Sequence, residues 1–583
     1  MGWFISCRIG RGGWMMKNDS WNRRKGKALF QLITWYWRSE EWKSAYLYLL
    51  GITILTIAAV YMTLLLNDWF NEFYSALQDY NSEAVYHGLI RFTVIAFGHI
   101  AFSVYAFYLQ QTLVLRWRKW MTKEYAARWT AHQMFYRMET FSKGVSDNPD
   151  QRISEDINLF TARTLSFTTG LLRAITTIFC FIFVLWKLSD PLTFTAGSYT
   201  FSIYGYLVWA ALLYSVLGTF ITHKVGRKLV GLNFLQQKLE ADFRYAMVRL
   251  RETSESVAFY EGAEKERTLL YGRLTKLVEN TYRIIKKEKE LSWLTNSYGQ
   301  IAIIFPFVVA APRYLSRNIS LGGLMQVANC FGKVQESMSY FVDVYSALAE
   351  WMSCADRLLS FDDHMKDIRK KTEEEEKHLN RKRSTVLFME DGEIDLPSGM
   401  PLLTGIFLSV KEGERVIIKG PSGAGKSTLL RLLAGLWPYG KGRLTLPAKE
   451  DMLFVPQRPY MPMGTLEDAI LYPGGGRREE LVYWMKECGL SRWIDHLDEE
   501  GDFSHILSLG EQQRISFVRI FMKKPKWVFL DEATSAMDED MENKLYRLLV
   551  GGTDMTVISI GHRSTLNTWH NRIIEVKDGK ITT

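Results

Sequence analysis

Cysteine is scarce in this chain: only five occur among 583 residues. Their positions show neither the paired spacing of a disulfide framework nor the spacing of metal ligands, which predicts free thiols and argues against a cysteine-based scaffold or a zinc site. A cleavable secretory signal is not expected either, because the first long apolar run is too long and starts too late. Met15 or Met16 is an alternative start, which would make the residues before it an extension.

Two stretches, residues 67–87 and 189–202, contain no Lys or Arg, although the whole chain has a net charge of +9. Basic residues concentrate instead before residue 44, in 116–163 and in 224–290. Because basic loops of membrane proteins stay in the cytoplasm, this alternation predicts cytoplasmic termini and two long cytoplasmic excursions. The positive charge then serves topology and lipid headgroups, and no nucleic acid partner is expected.

Six apolar runs alternate with those loops. Residues 45–66 carry no charge and are long enough to cross roughly 30 Å of hydrocarbon as one helix. The runs predict an all-α transmembrane domain of six helices. The alternative, a set of buried core helices in a soluble protein, is disfavoured because the span lengths and the loop charges agree. The other runs are 89–114, 167–186, 203–222, 296–312 and 321–345, the last two interrupted by Pro306 or by polar residues.

The composition changes after residue 361. Residues 362–384 are nearly all charged, have almost nothing to bury and predict a linker. Beyond them apolar bursts alternate with helical stretches, which predicts an α/β domain. The expected order is a basic, amphipathic cytoplasmic segment over 1–44, the transmembrane domain over 45–361, the linker, and the α/β domain over 385–583.

A glycine-rich loop introduces the chemistry of the second half. It fits G-x-x-x-x-G-K-[ST], follows an apolar strand at 414–419 and precedes a helical stretch at 429–434. Such a backbone wraps around phosphates, with the lysine charge on the β- and γ-phosphates and the serine hydroxyl on Mg²⁺. The alternative is a plain glycine-rich turn. The predicted ATP-binding residues are Gly420, Pro421, Ser422, Gly423, Ala424, Gly425, Lys426, Ser427 and Thr428.

A second apolar strand, beginning at Trp527, ends in the two carboxylates Asp531 and Glu532. In nucleotide hydrolases an aspartate at such a place holds Mg²⁺. A glutamate one residue further can orient and deprotonate the attacking water. Apolar strands that end in Asp-Glu are common, so this motif is weak by itself. It predicts a site of ATP hydrolysis here because it follows a phosphate loop in the same chain.

Between loop and strand lies Leu507–Arg514, LSLGEQQR, which resembles the signature of ATP-binding-cassette ATPases. Gln457 matches the family's Q-loop, Ser535–Asp538 its D-loop and His562 its switch histidine. The resemblance implies two cassettes that enclose two ATP molecules, each between the phosphate loop of one cassette and the signature of the other. It implies catalytic roles for Gln457, Glu532 and His562, Mg²⁺ ligation by Ser427, Gln457 and Asp531, and ATP contacts from Ser508, Gly510, Glu511 and Asp538.

One cassette and six spans make half a transporter, so the resemblance implies a homodimer, or a pair with a related half, in the cell inner membrane. Asn148–Ile153, Ala258–Tyr260, Gly435–Pro438 and Pro456–Met461 resemble the subfamily D half-transporters, which handle fatty acyl-CoA in peroxisomes. They equally resemble bacterial relatives of the YddA type, whose membrane domain is related to SbmA/BacA peptide importers. The resemblance to these half-transporters implies a membrane domain with the exporter-type fold. Leu396 stands where many cassettes stack adenine on an aromatic ring, which leaves apolar packing there.

In such proteins two cytoplasmic elements couple the membrane domain to the cassettes. Here they are a helix that begins after Asn148, with Pro149 in its first turn, and the stretch 255–262. The alternative is an ordinary helix hairpin at the membrane surface. The implied coupling residues are Arg152, Glu155, Asp156, Glu255 and Tyr260.

The sixth span is unusually polar, with Asn329, Lys333 and Glu336 among its residues. Ionisable groups at membrane depth are costly against lipid, so these side chains should face protein or a water-filled cavity. Lys333 and Glu336 lie three residues apart and can pair on one helical face. Two interpretations stay open: a structural ion pair, or a translocation path in which Glu336 contacts the solute or senses protons.

The predicted function is ATP-driven transport of a peptide, a cobalamin-like solute or an acyl or lipid-like substrate, by import or export. A soluble cassette ATPase of translation or DNA repair is the first alternative, and the six spans speak against it. A P-loop kinase is the second, but the Leu507–Arg514 signature and His562 have no role in one.

Overall fold

The computed structural model describes residues 19–141, 148–189, 191–196, 199–551 and 554–582. The alternative starts at Met15 and Met16 lie outside these residues.

The chain folds as two compact units. Among the described residues, the first unit contains 19–128 and 148–362, and the second contains 129–141 and 363–582. Residues 129–141, from the first of the two predicted excursions, therefore belong to the unit that contains the α/β domain.

The N-terminal part of the chain is almost entirely helical. Its helices and its one hairpin are α1 (Asp19–Tyr36), α2 (Trp42–Gln78), α3 (Ser82–Thr130), α4 (Met134–Phe141), α5 (Pro149–Gln151), α6 (Ile157–Leu188), β1 (Leu192–Ala196), β2 (Tyr199–Ile203), α7 (Tyr206–Glu252), α8 (Ser254–Phe259), α9 (Ala263–Leu315) and α10 (Leu321–Glu375). A π-helical turn, Arg152–Asp156, joins α5 to α6. The first excursion helix begins at Pro149 after Asn148, as predicted.

Five helical stretches of the described residues are long and apolar enough to cross a membrane. They expose large apolar side chains such as Leu47, Val94 and Phe179, as helices that face lipid do. The sixth predicted span forms the beginning of α10, which is not among the five because polar side chains interrupt its apolar residues. The five stretches are Trp42–Gln78, Ser82–Phe141, Pro149–Leu188, Tyr206–Glu252 and Ala263–Leu315.

One buried carboxylate fastens the beginning of α6 to α10. Asp156 accepts hydrogen bonds from Arg357 Nε at 2.9 Å and from Arg152 Nη1 at 2.8 Å, and only 4% of its side chain is exposed. Cys354 Sγ donates to the Asp156 carbonyl at 3.0 Å. Two cations satisfy this carboxylate, and removal of either would leave charge buried without its full set of partners.

The C-terminal part of the chain alternates strands and helices. Its elements are β3 (Leu379–Arg383), β4 (Leu387–Asp395), β5 (Pro401–Val410), β6 (Arg415–Lys419), α11 (Lys426–Leu433), β7 (Gly440–Leu446), β8 (Met452–Val455), β9 (Gly464–Thr465), α12 (Leu466–Leu471), α13 (Arg478–Glu487), β10 (Glu500–Gly501), α14 (Phe503–Ile506), α15 (Leu509–Lys523), β11 (Trp527–Asp531), α16 (Glu539–Gly551), β12 (Thr556–Ile560), β13 (Arg572–Lys577) and β14 (Lys580–Thr582).

Two sheets organise the second unit. The larger has the order β14-β13-β6-β12-β11-β8, in which only β14 pairs antiparallel, and the smaller has the order β3-β7-β4-β5. Strand β12 lies between β6 and β11, and all three run parallel. Their carboxyl ends therefore meet at one edge, which is where open α/β sheets bind ligands. The phosphate loop follows β6, the two carboxylates end β11, and His562 follows β12.

The predicted linker is wrong in one respect: residues 362–384 bury side chains and have regular structure. Helix α10 continues to Glu375, and Leu379–Arg383 forms β3 at the edge of the smaller sheet. Met365, Ile368 and Thr372 are buried at helical spacing. The many charges on the other faces of α10 conceal this narrow buried stripe in the composition.

Candidate functional site

The phosphate loop connects β6 to α11, and its conformation depends on glycine. Gly420 has φ 149°, and a Cβ there would lie 2.2 Å from the Val576 carbonyl oxygen. Lys426 Nζ donates to the carbonyls of Gly420 and Pro421 at 2.7 and 2.9 Å, which places the ammonium across the loop. Burial lowers the pKa of Lys426. All nine loop residues predicted to bind ATP thus lie together at the start of α11, where free amides favour an anion.

Two oxygen donors stand beside the loop. Ser427 Oγ donates to Asp531 Oδ1 at 3.0 Å and so joins α11 to the end of β11. Burial, followed by the neighbouring Glu532 charge, raises the pKa of Asp531, while the Ser427 hydrogen bond opposes this shift. A hydroxyl and a desolvated carboxylate fit a hard divalent cation, whose charge would stabilise the ionised carboxylate.

Glu532 is held in a strained position at the same edge. Its φ is 48°, and its amide donates to the Ile560 carbonyl at 3.0 Å. Gln457 Nε2 donates to one carboxylate oxygen at 2.9 Å, and His562 Nε2 lies 3.3 Å from the other. The three residues predicted to be catalytic are therefore in direct contact, although they come from separate loops.

The signature forms a second group of residues. Ser508 begins α15 with a capping box: its backbone amide and hydroxyl donate to Glu511 Oε2 at 3.0 and 2.8 Å. Burial would raise the pKa of Glu511, but hydrogen bonds from Trp493, Ser508 and Arg492 lower it to about 2. Glu511 therefore shapes the signature from inside the fold, while Ser508 itself is exposed.

The signature packs on the D-loop. A Cβ at Gly510 would lie 2.8 Å from the Ala536 carbonyl oxygen, so only glycine allows this approach. Asp538 Oδ1 accepts from the Met541 amide at 2.7 Å and caps the first turn of α16. Within the described residues, no hydrogen bond or ion pair joins Ser508, Gly510 or Asp538 to the phosphate loop of the same chain.

Gln513 is a site residue that the motif reading missed. It is fully buried, and its Nε2 donates to the Gln457 carbonyl at 3.0 Å and to Ser535 Oγ at 3.1 Å. Its Oε1 accepts from the Ala536 amide at 3.0 Å. One side chain of the signature helix thus holds the Q-loop and the D-loop. No sequence pattern distinguishes Gln513, because the polar residues Glu511 and Gln512 directly before it in the same helix are buried as well.

The predicted coupling residues divide into two kinds. Asp156 and Arg152 pair inside the first unit, and Glu155 accepts from Gln151 Nε2 at 3.1 Å. Glu255 and Tyr260 lie in and directly after α8, and Tyr260 is 87% exposed. Their roles stay predictions.

The first predicted excursion also contains α4, which packs within the second unit. Phe141 packs edge-on against Trp437 and Tyr439, with ring centroids 5.5 and 5.4 Å apart. Arg137 Nη2 donates to Glu376 Oε1 at 2.9 Å. Motif reading did not identify α4, because its sequence contains no family pattern.

Two further predictions concern Leu396 and the polar residues of the sixth span. Leu396 follows β4 and packs against the core formed by β4, β5, β6 and α11. Lys333 Nζ donates to Glu336 Oε2 at 2.9 Å, so the proposed ion pair is present. These two residues and Asn329 are not among those that line the large cavity of the first unit. Their role in a translocation path stays a prediction.

Two family models match this chain. "ABC transporter transmembrane region 2" covers residues 32–315, and "ABC transporter" covers 403–535. The Arabidopsis thaliana chloroplastic ABC transporter D family member 2 is 32% identical, over 94% of this chain and 86% of its own length. The Escherichia coli inner membrane ABC transporter ATP-binding protein YddA is 31% identical, over 89% of this chain and 91% of its own.

A solved bacterial Atm1-family ABC exporter with ATP bound has the same fold. The TM-score is 0.70, the sequence identity is 17%, and the match covers 92% of this chain and 94% of the exporter chain. The predicted architecture, an exporter-type helical membrane part followed by an α/β nucleotide-binding domain, is confirmed.

Gln513→Leu tests whether the buried amide positions the catalytic residues. We expect kcat for ATP to fall roughly 10- to 100-fold while KM changes little, because displaced loops misalign the reacting groups. Gln512→Leu is the control, since Gln512 is also buried but, among the described residues, donates to the carbonyls of Ser504 and Leu507 and not to the Q-loop or the D-loop. A folded Gln513→Leu variant with kcat within twofold of wild type contradicts the assignment.

Glu511→Gln tests the capping box by pH. A carboxyl with a lowered folded-state pKa contributes stability above its unfolded value of about 4.5, and this contribution disappears as pH falls towards 2. The difference in unfolding temperature between wild type and Glu511→Gln should therefore be largest at pH 7 and shrink from pH 5 to pH 3. A difference that stays constant over that range would exclude an ionised Glu511 as the stabilising group.

Proposed function

Because this chain belongs to the ATP-binding cassette transporters, as a half-transporter with one membrane domain and one cassette, we propose that it works as a homodimer that moves a solute across the cell membrane. Its cassette binds and hydrolyses ATP to drive transport. The direct contact of Glu532 with Gln457 and His562, beside the Ser427–Asp531 pair, is the observation that carries the hydrolytic part.

Each residue of this edge has a proposed role. Lys426 and the amides at the start of α11 bind the β- and γ-phosphates. Ser427, Asp531 and Gln457 provide oxygen ligands for Mg²⁺, which would neutralise phosphate charge when bound. Glu532 takes a proton from the attacking water, and its bonds to Gln457 and His562 fix the carboxylate orientation.

Dimerisation is proposed because one chain holds two halves of a site that do not touch. Ser508 is exposed at the start of α15, whereas the phosphate loop lies at the edge formed by β6, β12 and β11. A second copy could place its Ser508 hydroxyl and Gly510 amide on the γ-phosphate bound by the first. Two equivalent ATP sites would result from this symmetric arrangement.

Coupling is proposed to use α8 and the segment after it. Phe259 and Tyr260 expose 80% and 87% of their surface, an unusual exposure for adjacent aromatic residues. Glu255 adds a charge on the same short helix. We propose that α8 and Tyr260 contact the surface of a cassette. We propose that Arg152, Glu155 and Asp156 transmit motion through α5 and α6.

The chain is a multi-pass membrane protein, and we place both termini in the cytoplasm of a cell whose inner membrane it spans. The absence of Lys and Arg in 67–87 and 189–202 supports this orientation. A peptide, a cobalamin-like solute or an acyl or lipid-like molecule remains the proposed substrate range. Uptake into proteoliposomes of known cassette orientation, with one member of each class, would separate these substrates and the two directions.

Glu532→Gln tests the general base. The variant should bind MgATP and lose roughly 10²–10⁴-fold in turnover, because the amide cannot accept the proton. His562→Ala should also slow turnover, and the double variant should be less impaired than the product of the single effects. Glu412→Gln, at an exposed position before β6, is the matched control. Near-normal hydrolysis by purified Glu532→Gln would refute the assignment.

Heterodimers test whether the ATP sites form between two chains. A Lys426→Ala chain paired with a Ser508→Arg chain keeps one complete site, whereas either homodimer has none. Differently tagged chains, purified as the heterodimer, should therefore recover ATPase activity. The control pairs wild type with the Lys426→Ala, Ser508→Arg double variant, which damages each site once and should stay inactive. Activity in the control with none in the first pair would contradict sites shared between chains.

A further inference from the structure

The first unit contains a half-open cavity of about 1640 Å³. Helix α6 lines it with side chains three or four residues apart, which places them on one face. Away from this face, α6 exposes large apolar side chains such as Ile175 and Phe179. Polar and charged residues thus form a stripe that extends into the predicted span 167–186. This α6 stripe is Arg163, Ser166, Thr169 and Arg173.

Helix α3 supplies a second polar wall. Gln110, Gln111 and Arg118 line the cavity, and Thr169 Oγ1 donates to Gln110 Oε1 at 3.3 Å. Both walls include residues of predicted spans. Because such groups are costly to place against lipid, their common orientation indicates a water-filled interior.

The carboxylates of the cavity leave some cations without partners. Asp156 is occupied by Arg357 and Arg152, and Glu350 lies 3.4 Å from Arg163 Nη2. Among the described residues, Arg173 has no carboxylate within ion-pair distance. It lies inside the predicted span 167–186, so its charge sits at membrane depth. An unpaired arginine there needs a water-filled space or an anion.

One further cation, on α10, lies near the same side chain as Arg173. Arg173 of α6 and Lys333 of α10 both lie near enough to His99 of α3 for their charges to act on it. Glu336, the partner of Lys333, supplies one negative charge nearby. Helices α6 and α10 therefore bring two positive charges and one negative charge to this depth.

We propose that Arg173 is an anion-binding subsite of the translocation path, and that the transported solute docks a carboxylate or phosphate group there. This inference rests on the proposed transport function. A guanidinium offers a planar fork that matches either group. The cavity is larger than a typical small-ligand pocket of about 300–1,000 Å³, so the solute extends well beyond its anionic group. The polar walls at Gln110, Gln111 and Thr169 fit a hydrophilic body.

Charge-selective thiol labelling measures the subsite directly. The five native cysteines are replaced, basal ATPase activity is checked, and Thr169→Cys is introduced one helical turn from Arg173. Labelling rates with a negatively and a positively charged methanethiosulfonate reagent are each divided by the rate for a free thiol. A unit charge one turn away should favour the anionic reagent at least fivefold.

Matched variants identify the source of this preference. Arg173→Gln should remove it, and Arg173→Lys should keep it. Lys187→Gln removes the same charge from α6 at a position that does not line the cavity, and it should leave the preference unchanged. An equal preference in Arg173→Gln overturns the proposal. If Thr169→Cys does not fold, Ser166→Cys serves as the reporter, and inertness of both to both reagents also overturns it.

Competition identifies the chemical group. Inorganic phosphate and acetate are each added during labelling, with glucose as a neutral control. Greater slowing by phosphate assigns a phosphate group, and greater slowing by acetate assigns a carboxylate. Labelling that neither anion slows overturns the subsite. None of these rates requires ATP turnover, so a failed subsite and a failed transport assignment give separate results: the first appears in labelling, the second in proteoliposome uptake.

Discussion

Parallel pairing of β6, β12 and β11 is the constraint on which the cassette depends. Because β12 separates the other two strands, the phosphate loop, the Asp531–Glu532 pair and His562 follow the ends of three adjacent strands. The distances between them are then set by backbone hydrogen bonds. Glu532 adopts φ 48° at this edge, and the surrounding contacts maintain a conformation that a free chain would avoid.

Helix α15, which begins with the signature, stabilises the loops at this edge of the sheet through buried hydrogen bonds. Gln513 reaches both the Q-loop and the D-loop, while buried Glu542 accepts from Thr534 and Thr565 at 2.6 Å each. Arg563, next to the switch histidine, donates to the Ser535 carbonyl at 3.2 Å. Displacement of the signature by a second cassette would therefore reach Glu532 through hydrogen bonds.

Much of the cassette could be predicted because its chemistry depends on local patterns. The glycine spacing of 420–428 and the apolar strand that ends at Asp531 each identify an element from a few adjacent residues, and the predicted strands are present as β6 and β11. The role of Gln513 could not be predicted, because its partners are brought together only by the sheet. The buried stripe of 362–384 could not be predicted for a related reason. Its buried residues are few, and the many charged residues between them dominate the composition.

The membrane half illustrates a different limit. Hydropathy locates spans by their average composition, so it identifies α6 as a helix for lipid without revealing its polar stripe. The lining of the cavity has two electrostatic regimes. At the beginning of α6, Asp156 is surrounded by two arginines and joins α10, so charge there contributes to packing. Further along the same face, Arg173 has no such carboxylate among the described residues. Since a structural role would supply a protein partner, the unpaired cation is better explained by a ligand or solvent that enters the cavity.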